Sequence, residues 1–400
     1  MLSALYGKYA KKATLGRSKN AFKMKTKSFL LFSTSVFAIS IFLIVFHSQP
    51  PQSFQNIVSQ THQHIKDFQQ VSLPQDQLRD VEERHLVQEE RYLALVGLSG
   101  HVEAWKNTTL PAIVTHARNN EHALVVAFIR AAQKLPYTIL VYNIGLKPYS
   151  LNVVSNYCNS SKCAVVDFDL NMFPSHVADE SITAFRPLII QHALSRVGGV
   201  IYCETTQRWR GSPAALAEVW KRAAGEGAGP AGAAGAKAPG AGGAGPLGVV
   251  AWPRRAAVTS LTHPHMFTYF HADVDDFLFV QMLDTSRLVL AARPRLADIM
   301  RPWVQCALTS DCIMPVGAQS DGCRFDKKPQ YRYSGCHGQD ASALSIILGL
   351  RSGFEEGGYA ARGPAWGSAS ARAASSLLAQ LERNATTTPA DADERTERDA

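Results

Sequence analysis

The stretch Phe185 to Trp209, FRPLIIQHALSRVGGVIYCETTQRW, restricts the fold more than any other part of this chain. Phe185, Leu188, Ile189, Ala193, Leu194 and Val197 recur at helical spacing and give one apolar face. Pro187 suits a first turn, where its missing N–H costs nothing. Gly198-Gly199 stops the helix, because glycine accepts the positive φ of a helix C-cap. Val200-Ile201-Tyr202-Cys203 is then a continuous apolar run, as expected of a parallel strand covered on both faces. Polar residues follow at once: Glu204, Thr205, Thr206, Gln207 and Arg208. Ligands of open α/β sheets sit at the carboxyl ends of such strands, so the outlet beginning at Glu204 is the first place to expect a site.

The neighbouring chain repeats the pattern. Helices are expected over 123–134 and 151–157, and strands over 138–143, 164–169 and 247–252. Strands separated by helices of this length imply βαβ units and a mainly parallel sheet, hence an α/β fold with flanking helices. Residues 277–283, 296–307 and 341–350 also have helical spacing. Residues 223–246 are almost entirely Ala, Gly and Pro, too poor in apolar bulk to offset the entropy of ordering, and read as a disordered insert in the domain. From residue 357 to 400 the composition turns to Ala, Ser, Arg and Glu and reads as a disordered tail.

The amino end carries a different signal. Residues 29–46, FLLFSTSVFAISIFLIVF, hold no charge. At helical rise they reach about 27 Å, near the short end of what spans a bilayer. Eight Lys and Arg precede them and no acidic residue does, which places the amino end in the cytosol. The sequence after the apolar run, HSQPP, is a poor cleavage site. The expected organisation is a basic cytoplasmic tail (1–28), a transmembrane signal-anchor (29–46), a luminal stem (47–119) and a luminal domain (120–356). Single-pass type II topology in the Golgi or ER membrane follows, the short span suiting the thinner early secretory membranes. Within the stem, 75–98 reads as a helix, either a short coiled coil pairing two copies or a helix lying on the domain.

The formal net charge of +8 does not argue for nucleic acid. Removing the eight basic residues of the tail leaves 33 against 33 acidic ones, with no surplus for a basic face. All seven cysteines follow the apolar segment, in keeping with an oxidising lumen. Cys158 and Cys163 are spaced to close a small loop. Cys306, Cys312, Cys323 and Cys336 supply two further bridges of unassigned pairing, and Cys203 is left over in the central strand. Zinc is disfavoured for the later four because no CxxC pair occurs. Asn107, Asn159 and Asn384 head N-glycosylation sequons. No P-loop, dinucleotide glycine fingerprint or Ser/Cys nucleophile constellation is present.

The blocks FRPLIIQHALSRVGGVIYCETTQRW, HPHMFTYF, PWVQCALTSDCIMPVGA and YSGCHGQDASALSIIL together resemble a family of animal type II membrane proteins known mainly as a domain of unknown function. The match covers roughly residues 120–350 outside the Ala/Gly insert. The order of elements is similar to nucleotide-sugar glycosyltransferases of the GT-A (Rossmann-like) fold, especially galactosyltransferase-like ones. That resemblance implies transfer of a sugar from a nucleotide-diphosphate donor to a luminal glycan or protein. The alternative is an inactive binding or scaffold protein on the same fold.

In such enzymes an Asp-x-Asp motif at the strand end holds a divalent cation, usually Mn2+, against the donor diphosphate. Here the place reads Glu204-Thr205-Thr206, so the resemblance makes Glu204 and Thr206 the metal or diphosphate ligands, with one carboxylate missing. Asp167-Phe168-Asp169 has the literal spelling but sits one strand too early. His337-Gly338-Gln339-Asp340 resembles the acidic segment that opens a late helix. It implies a catalytic or acceptor-binding role for Asp340 and a diphosphate contact for His337, whereas position alone makes Asp340 an N-cap. Arg186 and Gln191 flank the core helix, either within reach of a donor or simply on its solvated surface. His263, His265 and His271 are spaced for metal but are expected at a loop and helix start, and Asp273, Asp275 and Asp276 form an exposed acidic run.

Overall fold

The computed structural model describes residues 34, 35, 37, 39, 41, 89–226, 247–361 and 366–386. The chain divides into two units, 1–81 and 82–400. In the first, the five described residues are helical. No helix of the described residues is long and apolar enough to cross a membrane. The basic tail, the rest of the 29–46 segment, residues 47–88, most of the Ala/Gly insert and the last residues of the tail lie outside the described residues.

The second unit begins, as described, with a helical turn over 89–95, whose Leu93 is buried together with Val96 in the core. The described part of the 75–98 segment lies on the domain; residues 75–88 are outside the described residues. The chain continues through β1 (Ala112–Ala117), α1 (His122–Ala132), β2 (Ile139–Asn143), α2 (Pro148–Tyr157) and β3 (Cys163–Asp167). Next come α3 (Phe185–Val197), β4 (Gly199–Cys203), β5 (Gln207–Trp209), α4 (Pro213–Ala224) and β6 (Val249–Ala257). The last elements are α5 (Pro264–Tyr269), β7 (Gln281–Ala291), α6 (Ala297–Leu308), α7 (Ser310–Ile313), α8 (Asp340–Ser352), β8 (Trp366–Ser368) and α9 (Ala371–Thr386).

The main sheet has the order β3-β2-β1-β4-β7-β6. β3, β2, β1 and β4 run parallel, and β7 is antiparallel to both β4 and β6. The chain lays β1, β2 and β3 outward in one direction and then returns to place β4 on the other side of β1. The carboxyl ends of β1 and β4 therefore flank the topological switch point, where open α/β sheets bind ligands.

Side chains alternate across the sheet and divide the core in two. Val114, Val200, Tyr202, Leu288 and Leu290 face α3, α6 and α8, whereas Ile113, Ile201, Cys203 and Val289 face α1, α2 and α4. The mainly parallel α/β architecture is the expected one, now with an antiparallel β7. Three bridges form, Cys158–Cys163, Cys306–Cys312 and Cys323–Cys336, and Cys203 stays free and buried.

Four sequence expectations differ from the structure. β1, the strand beside β4, lies inside the stretch assigned to the stem; it is short and follows Pro111. Residues 277–283 do not form a helix: after one 3-10 turn at Asp275–Phe277 the chain becomes β7. Phe277, Val280 and Leu283 are all buried at helix-like spacing, but pairing with β4 and β6 decides the conformation. The stretch after 357 contains β8 and α9, and Ala374 and Leu378 of α9 are buried. The start of the Ala/Gly insert, Ala223 and Ala224, closes α4.

The Gly198-Gly199 turn reverses the chain between α3 and β4. Gly198 takes φ 80° at the C-cap. Gly199 is needed for space, since a methyl group there would stand 2.3 Å from the Trp220 ring and 2.8 Å from Leu110 Cδ1. Gly199→Ala is therefore expected to cost about 1–3 kcal/mol through overpacking. Urea unfolding measures it, and an unchanged midpoint would contradict this account.

Candidate functional site

The reversal at Gly198-Gly199 sets the geometry of the site. α3 has thirteen residues and rises about 20 Å, while five strand residues of β4 advance about 17 Å in the opposite sense. The first turn of α3 thus comes level with the residue after β4, and Arg186 meets Glu204. Arg186 Nη2 donates to Glu204 Oε1 at 2.5 Å. Its Nη1 donates to Asp340 Oδ2 at 2.5 Å and to Thr285 Oγ1 on β7 at 2.9 Å. The two carboxylates singled out in the sequence thus share one guanidinium.

Their surroundings are unequal. Asp340 is 1% exposed at its side chain and Glu204 28%. Asp340 does not cap α8; it is the first helical residue, and Gln339, at φ 50°, takes the cap position. Thr183 Oγ1 lies 2.5 Å from Asp340 Oδ1 and 2.8 Å from Gln339 Oε1, and its single proton serves one of them. Trp303 Nε1 donates to the Asp340 carbonyl at 2.9 Å, fixing the helix start against α6. Burial opposes the charge on Arg186, but Asp340, Tyr202 and Glu204 outweigh it and hold its pKa well above the usual arginine value. The guanidinium is a permanent cation here.

Several residues packed around this cluster went unread in the sequence. A hydrogen bond of 3.0 Å joins the Tyr202 hydroxyl to His116 Nδ1 at the end of β1. Burial first, then Arg118 and Arg186, push the His116 pKa well below its ordinary value, so its ring is neutral. Arg118 stacks over Phe185 at 4.2 Å and donates to the Glu180 carbonyl. Burial raises the Glu121 pKa, Arg118 opposes, and Glu204 adds to the rise, which puts a second carboxylate within the field of the first. These residues were findable: they follow β1 and end β4, but β1 itself had not been placed.

The other sequence candidates fall as follows. Gln191 is buried on α3. Thr206 lies in the turn after β4, its carbonyl accepting from Ala369 N at 2.8 Å. His337 is committed at both nitrogens. The His263 N–H donates to Nδ1 at 3.2 Å, so Nε2 carries the proton and donates to the Ile313 carbonyl at 3.2 Å. It braces α5 against α7 and has no nitrogen left for a diphosphate. His263 caps the start of α5, its Nδ1 accepting from the His265 N–H at 3.3 Å, and Met266 and Phe267 pack inward as expected. Asp273, Asp275 and Asp276 are exposed, as are Asn107, Asn159 and Asn384. Asp167 and Asp169 stand at the far end of the sheet, three strands or roughly 14 Å from β4. Asp167 accepts from Asn143 Nδ2, and Asp169 closes its own turn onto Asn171.

A manganese-type cation needs several hard oxygen donors. At Glu204–Thr206 there is one carboxylate, and its Oε1 already accepts from a guanidinium. Among the described residues no group of three His, Cys, Asp or Glu side chains gathers to hold a metal. The donor set at the β4 outlet does not fit the cation that the resemblance implies.

Arg186→Met would leave Asp340 buried without its partner and is expected to destabilise the chain by about 3–5 kcal/mol. Adding Asp340→Asn should recover part of that loss, because no buried charge remains. Chemical denaturation of both variants checks this, and a loss under about 1 kcal/mol would contradict the buried pair. His337 adds a pH dependence. Burial chiefly lowers its pKa from 6.5 to about 4, opposed by the bond to Ile313. Between those values the unfolded chain binds more protons, so the contribution is whole above pH 6.5 and is lost as pH falls towards 4. That loss amounts to about 3 kcal/mol, and His337→Gln should flatten the slope in that window when stability is followed against pH.

No family model matches the chain, and no curated protein matches it. Among solved structures it is similar to the galactosyltransferase LgtC in complex with donor and acceptor sugar analogues, at 14% identity and a TM-score of 0.32, over 62% of this chain and 72% of that one. It is also similar to an active-site mutant of LgtC, at 13% identity and a TM-score of 0.27, over 48% of this chain and 62% of that one. At TM-scores this low no function or residue role passes from either structure to this chain.

Proposed function

We propose that the chain is a glycosyltransferase-like protein that binds a sugar nucleotide at the carboxyl ends of β1 and β4 without a divalent cation. The observation that carries this reading is the Arg186 cluster at the topological switch point, with Glu204 and Asp340 on one guanidinium. The order of elements, which is similar to that of sugar-nucleotide transferases of the GT-A fold, supplies the substrate class. Arg118 is the cation that a diphosphate would meet, since Arg186 is already outnumbered by its two carboxylates. Glu204 is the reacting carboxylate: its side chain reaches solvent, and only Oε1 is bonded to Arg186. Asp340 positions Arg186 and touches no substrate. The three disulfides and the exposed sequons support a luminal setting, with type II anchoring through 29–46 in the Golgi or ER membrane. A stem-mediated homodimer would use residues before 89, because Leu93 and Val96 are spent on the domain.

A second reading has one specific observation in its favour. The buried Asp340 cannot contact an acceptor, which suits a protein that binds sugar nucleotide or glycan and no longer transfers. The full-length chain separates the two. Its thermal midpoint is expected to rise with at least one uridine- or guanosine-diphosphate sugar in the presence of EDTA, since a ligand of the folded form alone must stabilise it. Arg118→Gln should shrink the shift. Release of nucleoside diphosphate with a glycan acceptor supports transfer, and a shift without release supports binding alone. No shift with any sugar nucleotide, with EDTA or with manganese, would overturn both.

A further inference from the structure

The turn between α5 and β7 and the loop before α8 meet around an open, largely apolar hollow of about 380 Å3. The buried Thr262 and Phe267 lie at its base. Val274 and Leu278 form one rim, and Pro329, Tyr331 and Arg332 form the other. Both rims are pinned. Phe277 is fully buried and packs on Phe267, ring centres 5.5 Å apart, which anchors the first. The Cys323–Cys336 bridge closes the loop that carries the second. That loop is tied to the turn after β6: Thr259 Oγ1 donates to the Tyr331 carbonyl at 2.6 Å, and Ser334 N to the Ser260 carbonyl at 2.8 Å.

The rims carry opposite charge. Asp273, Asp275 and Asp276 surround Val274, and no cation occurs over residues 273–279. Between Cys323 and Cys336 stand four cations, Arg324, Lys327, Lys328 and Arg332, against one carboxylate, Asp326. All of these side chains are exposed. Among the described residues none of them forms an ion pair, within its own rim or across the hollow. Formal charges of −3 and +3 therefore face solvent on either side of one apolar depression. Next to it projects Phe279, 86% exposed and 6.1 Å from the Tyr331 ring. A large aromatic left in water beside an apolar hollow is the mark of an interaction surface.

We propose that this face is an isologous interface between two copies of the chain. The charges decide the kind of occupant. A polyanion, whether nucleic acid, acidic glycan or anionic lipid, would be drawn to the basic loop and repelled by the acidic turn, and a polycation would meet the reverse. The occupant has to carry both signs around an apolar centre, in the opposite order. A twofold axis through the Phe279–Tyr331 pair makes the face such an occupant for itself. The acidic turn of each copy then meets the basic loop of the other, and each Phe279 enters the other's hollow. The charged rims fix the register, while the apolar centre supplies the affinity. This contact is independent of the stem and of the sugar-nucleotide reading.

The test uses the full-length chain in detergent solution, with its mass followed by sedimentation as concentration is raised. The chain should pair reversibly, and pairing should weaken several-fold as salt is raised, because the rims are exposed. Phe279→Ala should weaken it at least about tenfold, as for a residue at the centre of an interface. Two charge-reversed variants give the decisive result: Asp275→Lys with Asp276→Lys, and Lys327→Glu with Lys328→Glu. All four positions are exposed, and an unchanged thermal midpoint verifies that folding is intact. Each variant alone should be monomeric, since like charges would face each other across the axis. An equal mixture of the two should pair, because every rim then meets its opposite. A wild-type chain that stays monomeric would overturn the proposal. So would a variant that pairs alone as tightly as wild type, which would place the contact in the stem or elsewhere. A mixture that fails to pair would rule out the twofold arrangement. Arg118→Gln should leave pairing intact, so this result is read separately from sugar-nucleotide binding.

Discussion

One buried guanidinium ties this molecule together at its centre. Arg186 projects from the first turn of α3, Glu204 directly follows β4, Thr285 belongs to β7 and Asp340 opens α8, so four parts of the chain meet on one cation. Such a cluster gains less than its short contacts suggest, because each charge lost its hydration on the way in. What it enforces is position. Any slip of α3 along β4 would separate Arg186 from both carboxylates at once, leaving charges in a region where the nearest alternatives are Phe185 and Tyr202. The Gly198-Gly199 turn, the alignment of α3 with β4, and the bond from Trp303 to the start of α8 are all fixed by the same requirement.

Much of the frame was legible in the sequence because it follows local rules. The α3–β4 unit, the strands β2, β3 and β6 and the helices α1, α2, α6 and α8 all declare themselves by spacing, by a glycine stop or by a continuous apolar run. The failures share a cause. β7 carries Phe277, Val280 and Leu283 just before and within it at helix-like intervals, and only its partners on either side make it a strand. β1 is six residues long and has no periodicity to display, yet it is the strand against which β4 is laid. β8 pairs with β5 across more than 150 positions, a contact no window of sequence contains.

The site was half legible for a related reason. Glu204 and Asp340 could be named because each stands at the end of a recognisable element. That they share Arg186 follows from lengths: a helix of thirteen residues folded back on a strand of five brings the first turn of one level with the exit of the other. The arithmetic was available in the sequence, and it would have moved Arg186 from a flanking position to the centre. Asp340 lies elsewhere in the chain, and its arrival there depends on the packing of α8 against β7 and α6. The literal Asp-x-Asp at 167–169 illustrates the converse: spelling without place, since its strand is laid down at the wrong edge of the sheet.

The charge balance around Arg186 limits what the site can do. A divalent cation arrives with exchangeable ligands and brings a net positive charge to a diphosphate. Arg186 arrives already countered by Glu204 and Asp340, so that the three together carry a formal charge of −1. If the proposed sugar-nucleotide reading holds, affinity for an anionic donor would have to come from outside the cluster, and Arg118, held over Phe185 and just past β1, would be the cation to supply it. The cluster's remaining contribution is orientation. It holds Glu204 with one oxygen bound to Arg186 and its side chain partly in solvent, a carboxylate presented in a fixed direction at the mouth of the switch point. Binding and orientation are thereby divided between two arginines, and a ligand of this site would have to be recognised by its polar groups as much as by its charge.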